Sequence, residues 1–120
     1  WDHLRGAARS FALICEDPDA PFPQPFVHWI VYDIPDDARS IEPVHAWQHG
    51  KNSLLQLGYT GAAPPPGHGT HHYHFQLFAL DVAHLPARGI GRRAFVSALR
   101  GHIVAWGELV ARYGRGGGMA

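Results

Sequence analysis

Ser10-Phe11-Ala12-Leu13-Ile14-Cys15-Glu16, running straight into Asp17-Pro18-Asp19-Ala20-Pro21, is the stretch on which the fold turns. Apolar and small residues occupy both parities of the first part, which fits a strand buried on both faces better than an alternating surface strand. The Pro-rich turn ends it, because proline has no N–H to give to a ladder. A second strand is expected over residues 27–34, closed by Pro35-Asp36-Asp37. Residues 36–58 mix Pro, Gly, Asn and His with short apolar pieces such as Leu54-Leu55, and read as a long connection carrying one short strand. Residues 70–81 are the third clear strand. Their period of two puts His71, Tyr73, Phe75 and Leu77 on one face and His72, His74, Gln76 and Phe78 on the other.

After Pro86 and Gly89-Ile90-Gly91 the pattern changes. From Arg92 onward, Phe95, Leu99, Ile103, Trp106, Val110 and Tyr113 recur at three- to four-residue spacing, which predicts one amphipathic helix stopped by Gly114. Gly101 and Gly107 inside it cost about 1 kcal/mol each against alanine and signal close packing or a kink. Strands followed by one late helix give a mainly β fold: antiparallel sheet with a C-terminal helix packed on it. The expected organisation is a single domain over residues 1–114 and a flexible tail over 115–120, with no internal repeat.

Composition narrows the function. Ten basic and ten acidic residues cancel among 120, so a nucleic-acid or membrane binder working by bulk charge is disfavoured, and any anion site must be local. One cysteine excludes an internal disulfide framework, and Cys15 reads as a buried core thiol. No stretch is long and apolar enough to span a bilayer, and the N-terminus shows no basic flank followed by an apolar stretch and cleavage site. The cytoplasm is the expected compartment, with the periplasm as the alternative if a leader has been removed. Ten histidines are the compositional anomaly.

Two of those histidines have chemistry written beside them. Asp17 at one strand end suits His28 at the next: a carboxylate accepting one imidazole N–H fixes the ring and leaves its other nitrogen for a ligand. His71 and Tyr73, two apart on one strand face, add a second imidazole and a phenol, so three donors converge on one set of phosphate or carboxylate oxygens. Pro64-Pro65-Pro66 supplies a stiff wall without N–H groups. Taken singly, an Asp-Pro-Asp string is a turn and a lone histidine on an apolar strand is a satisfied core residue. The weight lies in their joint order.

That order, Asp17-Pro18-Asp19-Ala20-Pro21, His28-Trp29, the Pro-rich loop and His71-x-Tyr73, resembles the phosphatidylethanolamine-binding protein family, which includes the Raf kinase inhibitor proteins. The resemblance is strongest over residues 10–35 and 57–81 and leans to the bacterial branch. It implies two antiparallel β-sheets with Greek-key connections, a C-terminal helix beside a small anion pocket, and a chain that starts after the family's usual opening segment. It further implies binding of a small anion or phospholipid headgroup by Asp17, Pro21, His28, Ala63, Pro64, Pro65, His71 and Tyr73, with no cofactor or metal. Two departures stand out: His72 occupies a place where eukaryotic members commonly carry arginine, and Ala63 one where glycine is frequent. Kinase inhibition therefore does not transfer.

Three rivals remain. His68, His71, His72 and His74 crowd one segment in the manner of a metal site, although alternation splits them between faces and no Cys-x-x-Cys or His-Glu-x-x-His accompanies them. A small hydrolase would use the same carboxylate and imidazoles, with Cys15 as the nearest nucleophile and no Gly-x-Ser-x-Gly. A protein-interaction module, such as a protease or kinase inhibitor, needs no motif at all. A non-enzymatic binding domain is the preferred reading; nucleic acid is not an expected partner, while a protein partner and a homodimer are left open.

Overall fold

The computed structural model describes residues 8–19, 25–38, 47–60, 70–114 and 118–119. They form one antiparallel sheet of six strands: β1 (Ser10–Asp17), β2 (Phe26–Pro35), β3 (Gln48–His49), β4 (Thr70–Leu80), β5 (Ile103–Gly114) and β6 (Gly118–Met119). The strand order is β3-β2-β1-β4-β5-β6, and the helix α1 (Arg92–Leu99) lies in the β4-to-β5 connection. Where the family resemblance implies two sheets, the described residues form one. Gly118–Met119, within the stretch expected as a tail, pairs with Tyr113 and Gly114.

β1 sits at the centre, and all eight of its residues are buried. Phe11, Leu13 and Cys15 pack on one face with Trp29, Val31, Ile34 and Tyr73. Ala12 and Ile14 pack on the other with Ile30, Tyr32, Leu80 and the helix residues Phe95 and Leu99. Burial on both faces is thus what the apolar run at both parities specifies, and α1 supplies the second cover.

β2 follows β1 with two interruptions. The register steps from Cys15↔Trp29 to Glu16↔Val27, passing over His28, and from Phe11↔Ile34 to Leu13↔Val31. Each is a β-bulge, an extra residue on β2 that resets which face the following side chains take. At the second bulge Asp33 adopts φ 57°, and its carboxylate accepts the Leu85 N–H at 2.8 Å.

The helix is shorter than its sequence pattern. It ends at Leu99, and residues from Ile103 onward, expected to continue it, are β5. The physical reason is that Ile103, Val104, Trp106, Leu109 and Val110 satisfy a helical spacing while also placing β-branched and bulky residues at both parities, which suits a strand. The ladder to β4, from Thr70↔Gly114 to Leu80↔Ile103, decides the matter. The Arg100 N–H caps the helix on the Ser97 carbonyl at 3.3 Å, and Gly101 makes the reversal: at φ 80° it lets the His102 N–H reach the Leu99 carbonyl at 3.0 Å. Gly101 therefore belongs to a turn, and Gly107 lies in β5 opposite Leu77.

The Gly101→Ala variant tests this by sign. Inside a helix the substitution stabilises by about 1 kcal/mol; at a left-handed turn position it costs about 1–2 kcal/mol. Urea unfolding of the variant is expected to show the loss.

Candidate functional site

Four of the residues singled out from sequence lie together at one end of the sheet. β1 ends at Asp17, whose Oδ2 accepts a hydrogen bond from His71 Nδ1 of β4 at 2.6 Å. Both side chains are almost fully buried, at 4% and 3% exposure. Taking a carboxylate out of water costs several kcal/mol, so its oxygens must be satisfied. Oδ1 accepts the Asp19 N–H at 2.9 Å, and hydrogen bonds to a charged acceptor return about 1.5–3 kcal/mol each. A carboxylate only accepts, so Nδ1 of His71 carries the proton and the ring's orientation is fixed.

The partner of Asp17 is His71 and not His28, which corrects the pairing read from sequence. His28 is the residue passed over at the first β2 bulge. The bulge brings Val27 to the helix-side cluster and leaves His28 and Trp29 neighbours on the opposite side of the strand. There the His28 ring meets Tyr73 edge-on, with centroids 4.8 Å apart and planes at 76°, and Phe26 at 4.9 Å. Its Nδ1–H donates to the Thr60 carbonyl at 2.9 Å, while the Thr60 N–H donates back to the His28 carbonyl at the same distance. Thr60 was not a sequence candidate: a backbone carbonyl leaves no signal in residue identity.

His71 and Tyr73 are both buried on the face that carries Cys15 and Trp29, as the period of β4 requires. His72 and His74 take the other face. Asp19 Oδ2 accepts both the backbone N–H and the Nδ1–H of His72, each at 2.7 Å, and this hydrogen bonding holds the Asp19 carboxyl below its ordinary range. His74 Nδ1 donates to Glu108 at 3.2 Å. The turn after β1 is thus fastened by consecutive histidines, Asp17 to His71 and Asp19 to His72, and the second clamp uses a residue of the aspartate motif that sequence reasoning had treated only as part of a turn. Pro21, Ala63, Pro64 and Pro65, expected to complete the pocket, lie outside the described residues, as does His68. Among the described residues no group of three or more His, Cys, Asp or Glu side chains is arranged to hold a metal ion.

Cys15 stands two residues before Asp17 and is buried. Burial first, then the neighbouring charges of Asp17 and Glu16, push its thiol up to about 12. At neutral pH it is a packed, protonated thiol without nucleophilic character.

Comparison with known proteins adds to this geometry. The family model described as "Phosphatidylethanolamine-binding protein" matches residues 1–114. A UPF0098 protein of Pyrococcus horikoshii is 39% identical over 122 residues, which take in 93% of this chain and 61% of the relative. One from Aquifex aeolicus is 37% identical over 123 residues, covering 96% of this chain and 71% of its own. The chain thus spans about three fifths of the length of the first relative, and 65% of a second from Pyrococcus abyssi. Among solved structures, a putative phosphatidylethanolamine-binding protein homolog from Chlamydia trachomatis superposes with a TM-score of 0.80 at 33% identity, covering 90% of this chain and 73% of that one. Escherichia coli YbcL, described as a new member of the mammalian PEBP family, gives 0.75 at 30%, covering 91% and 73%.

Cys15 yields a direct check on the site's chemistry. Iodoacetamide at pH 8 is expected to leave it unmodified in the native protein and to label it fully in urea, as read by mass spectrometry. Because its folded-state pKa is raised, the stability it contributes is present below the ordinary thiol range and is lost as pH climbs toward 12. Rapid native labelling would restore Cys15 as a nucleophile.

Proposed function

The chain belongs to the phosphatidylethanolamine-binding protein family, and we propose that its site binds a small oxyanion or a phospholipid headgroup without transforming it. The observation that carries this reading is the Asp17–His71 hydrogen bond of 2.6 Å, buried at the end of the central strand beside Tyr73 and the bulged His28. With Nδ1 held by Asp17, the ring of His71 is fixed in orientation at the end of the central strand. The imidazole then lies between the Asp17 carboxylate and the ligand oxygens, and the phenol of Tyr73 adds a neutral donor on the same strand face. Asp17 acts through His71 and is a positioning residue.

Catalysis has less support. The described residues near Asp17 offer the Cys15 thiol, pushed up to about 12, as nucleophile. The Ser53 Oγ accepts the Val27 N–H at 2.7 Å. A positioned and activated nucleophile is what acyl or phosphoryl transfer through a covalent intermediate would need. Among the described residues, no helix is long and apolar enough to cross a membrane.

Calorimetric titration with phosphate and with phosphorylethanolamine tests the reading. His71→Asn, whose side-chain amide still offers Asp17 a donor, and Tyr73→Phe are each expected to weaken binding by about 1.5–3 kcal/mol, the value of a hydrogen bond to a charged partner, with the fold retained by circular dichroism. Unchanged affinity in both variants would remove the site.

A further inference from the structure

The connection between β3 and residue 60 displays an apolar surface that is largely exposed. Leu54, Leu55, Leu57 and Tyr59 are 55%, 79%, 64% and 47% exposed. The turn that carries them is well built. Asn52, itself buried, accepts the N–H groups of Leu54 and Gln56 on Oδ1 at 2.9 and 3.2 Å and donates from Nδ2 to the Gly58 carbonyl at 3.1 Å. A bridge between Lys51 and Leu57 closes its base. The leucines are therefore held outward by a hydrogen-bonded frame.

Leu55 carries the argument furthest. It adopts φ 61°, a left-handed conformation that glycine and asparagine take readily and a branched apolar side chain does not. A large apolar residue placed in a disfavoured backbone conformation, with most of its surface in water, stabilises neither the turn nor the core. Such outliers point to use elsewhere.

The turn is also tied to the candidate site. Ser53 N–H donates to the Val27 carbonyl at 2.9 Å, and Thr60, at its other end, exchanges hydrogen bonds with His28. Tyr59 packs edge-on against Trp29, next to His28 in sequence, with centroids 5.7 Å apart. A single turn is too small for a specific protein interface, which needs about 1,000 Å² or more. Inserting a few leucines and a tyrosine into the boundary between headgroups and acyl chains needs no such area.

We propose that Leu54, Leu55, Leu57 and Tyr59 form an interfacial anchor that seats the protein on a phospholipid surface with the Asp17–His71 site facing the headgroups. The headgroup preference rests on the proposed function of that site, whereas the anchor itself does not. Lys51, exposed at the base of the turn, matches an anionic surface.

Cosedimentation with vesicles of phosphatidylcholine containing phosphatidylethanolamine and phosphatidylglycerol tests this. Leu55→Asn suits the left-handed position, so it is expected to keep the fold. Burial of one leucine accounts for a factor of ten or more in partitioning, and a loss of that size is expected for Leu55→Asn, greater with Leu54→Ser added. Phosphorylethanolamine titration of the same variants is expected to be unchanged. Vesicle binding equal in wild type and variants overturns the anchor. So does absence of vesicle binding in the wild type while phosphorylethanolamine still binds, an outcome that leaves the pocket reading intact. Leucine-dependent vesicle binding without phosphorylethanolamine binding upholds the anchor and removes the pocket reading. Self-association that depends on Leu55 and occurs without vesicle binding overturns it in favour of a protein contact.

Discussion

Two carboxylates leave the end of a strand that is buried on both faces, and the rest of the structure is arranged around satisfying them. Glu16 and Asp17 are adjacent, so they emerge on opposite sides of the sheet. Glu16 pairs with Arg92, the first residue of α1, and Asp17 with His71 of β4. Leaving either acid without a partner in this setting would cost several kcal/mol, comparable to a large share of a small domain's net stability. The helix and the candidate site are therefore fastened to the same two residues of β1, one on each face. The arrangement also explains why the first apolar run can end in two acids without unravelling.

The second constraint is the bulge at His28. A regular ladder would have set Val27, Trp29 and Val31 on one face and turned His28 to the helix side. One extra residue in β2 brings the imidazole against Tyr73 instead, and the hydrogen-bond exchange with Thr60 secures it. Bulges are a recurrent means of re-aiming a side chain beside a functional site. Here the same exchange with Thr60 fixes the end of the leucine-bearing turn, so the orientation of the candidate site and that of the exposed turn derive from one local irregularity. Gly50 adds rigidity at the start of that turn: a Cβ there would lie 2.5 Å from the Ile90 carbonyl oxygen and 2.8 Å from Ile30, so the chain passes through a gap that only glycine fits.

Much of this was legible in sequence because it depends on period and order. β1, β2 and β4 follow from apolar parity and turn residues, and the shared face of His71 and Tyr73 follows from alternation alone. The Asp17–His28 pairing did not survive because Val27-His28-Trp29-Ile30-Val31 is apolar at both parities, so the residues contain nothing that distinguishes a bulged register from a regular one. The long helix failed for a related reason. Residues 103–113 satisfy two periods at once, and the choice is made by the β4 edge, a tertiary partner absent from local pattern. Thr60 was illegible because its contribution is a carbonyl, and every residue has one.

The histidine excess, suggestive of metal in the sequence, has a different physical meaning in the fold. His71 pairs with Asp17, His72 with Asp19, His74 with Glu108, His84 with Asp33 and His102 with Asp81, each through Nδ1. Each joins an imidazole to a carboxylate elsewhere in the fold, and only the first is fully buried. The exposed pairs are worth about 0–1 kcal/mol each, so they adjust the fold without defining it. His72 is the informative one, because its backbone N–H and its ring both reach the Asp19 carboxylate. The lowered Asp19 pKa means the carboxylate's share of that stability is present above the ordinary aspartate range and is lost only as pH falls through the depressed value. That clamp lies on the opposite face of the strand from His71, so the turn that positions Asp17 is held from both faces of β4.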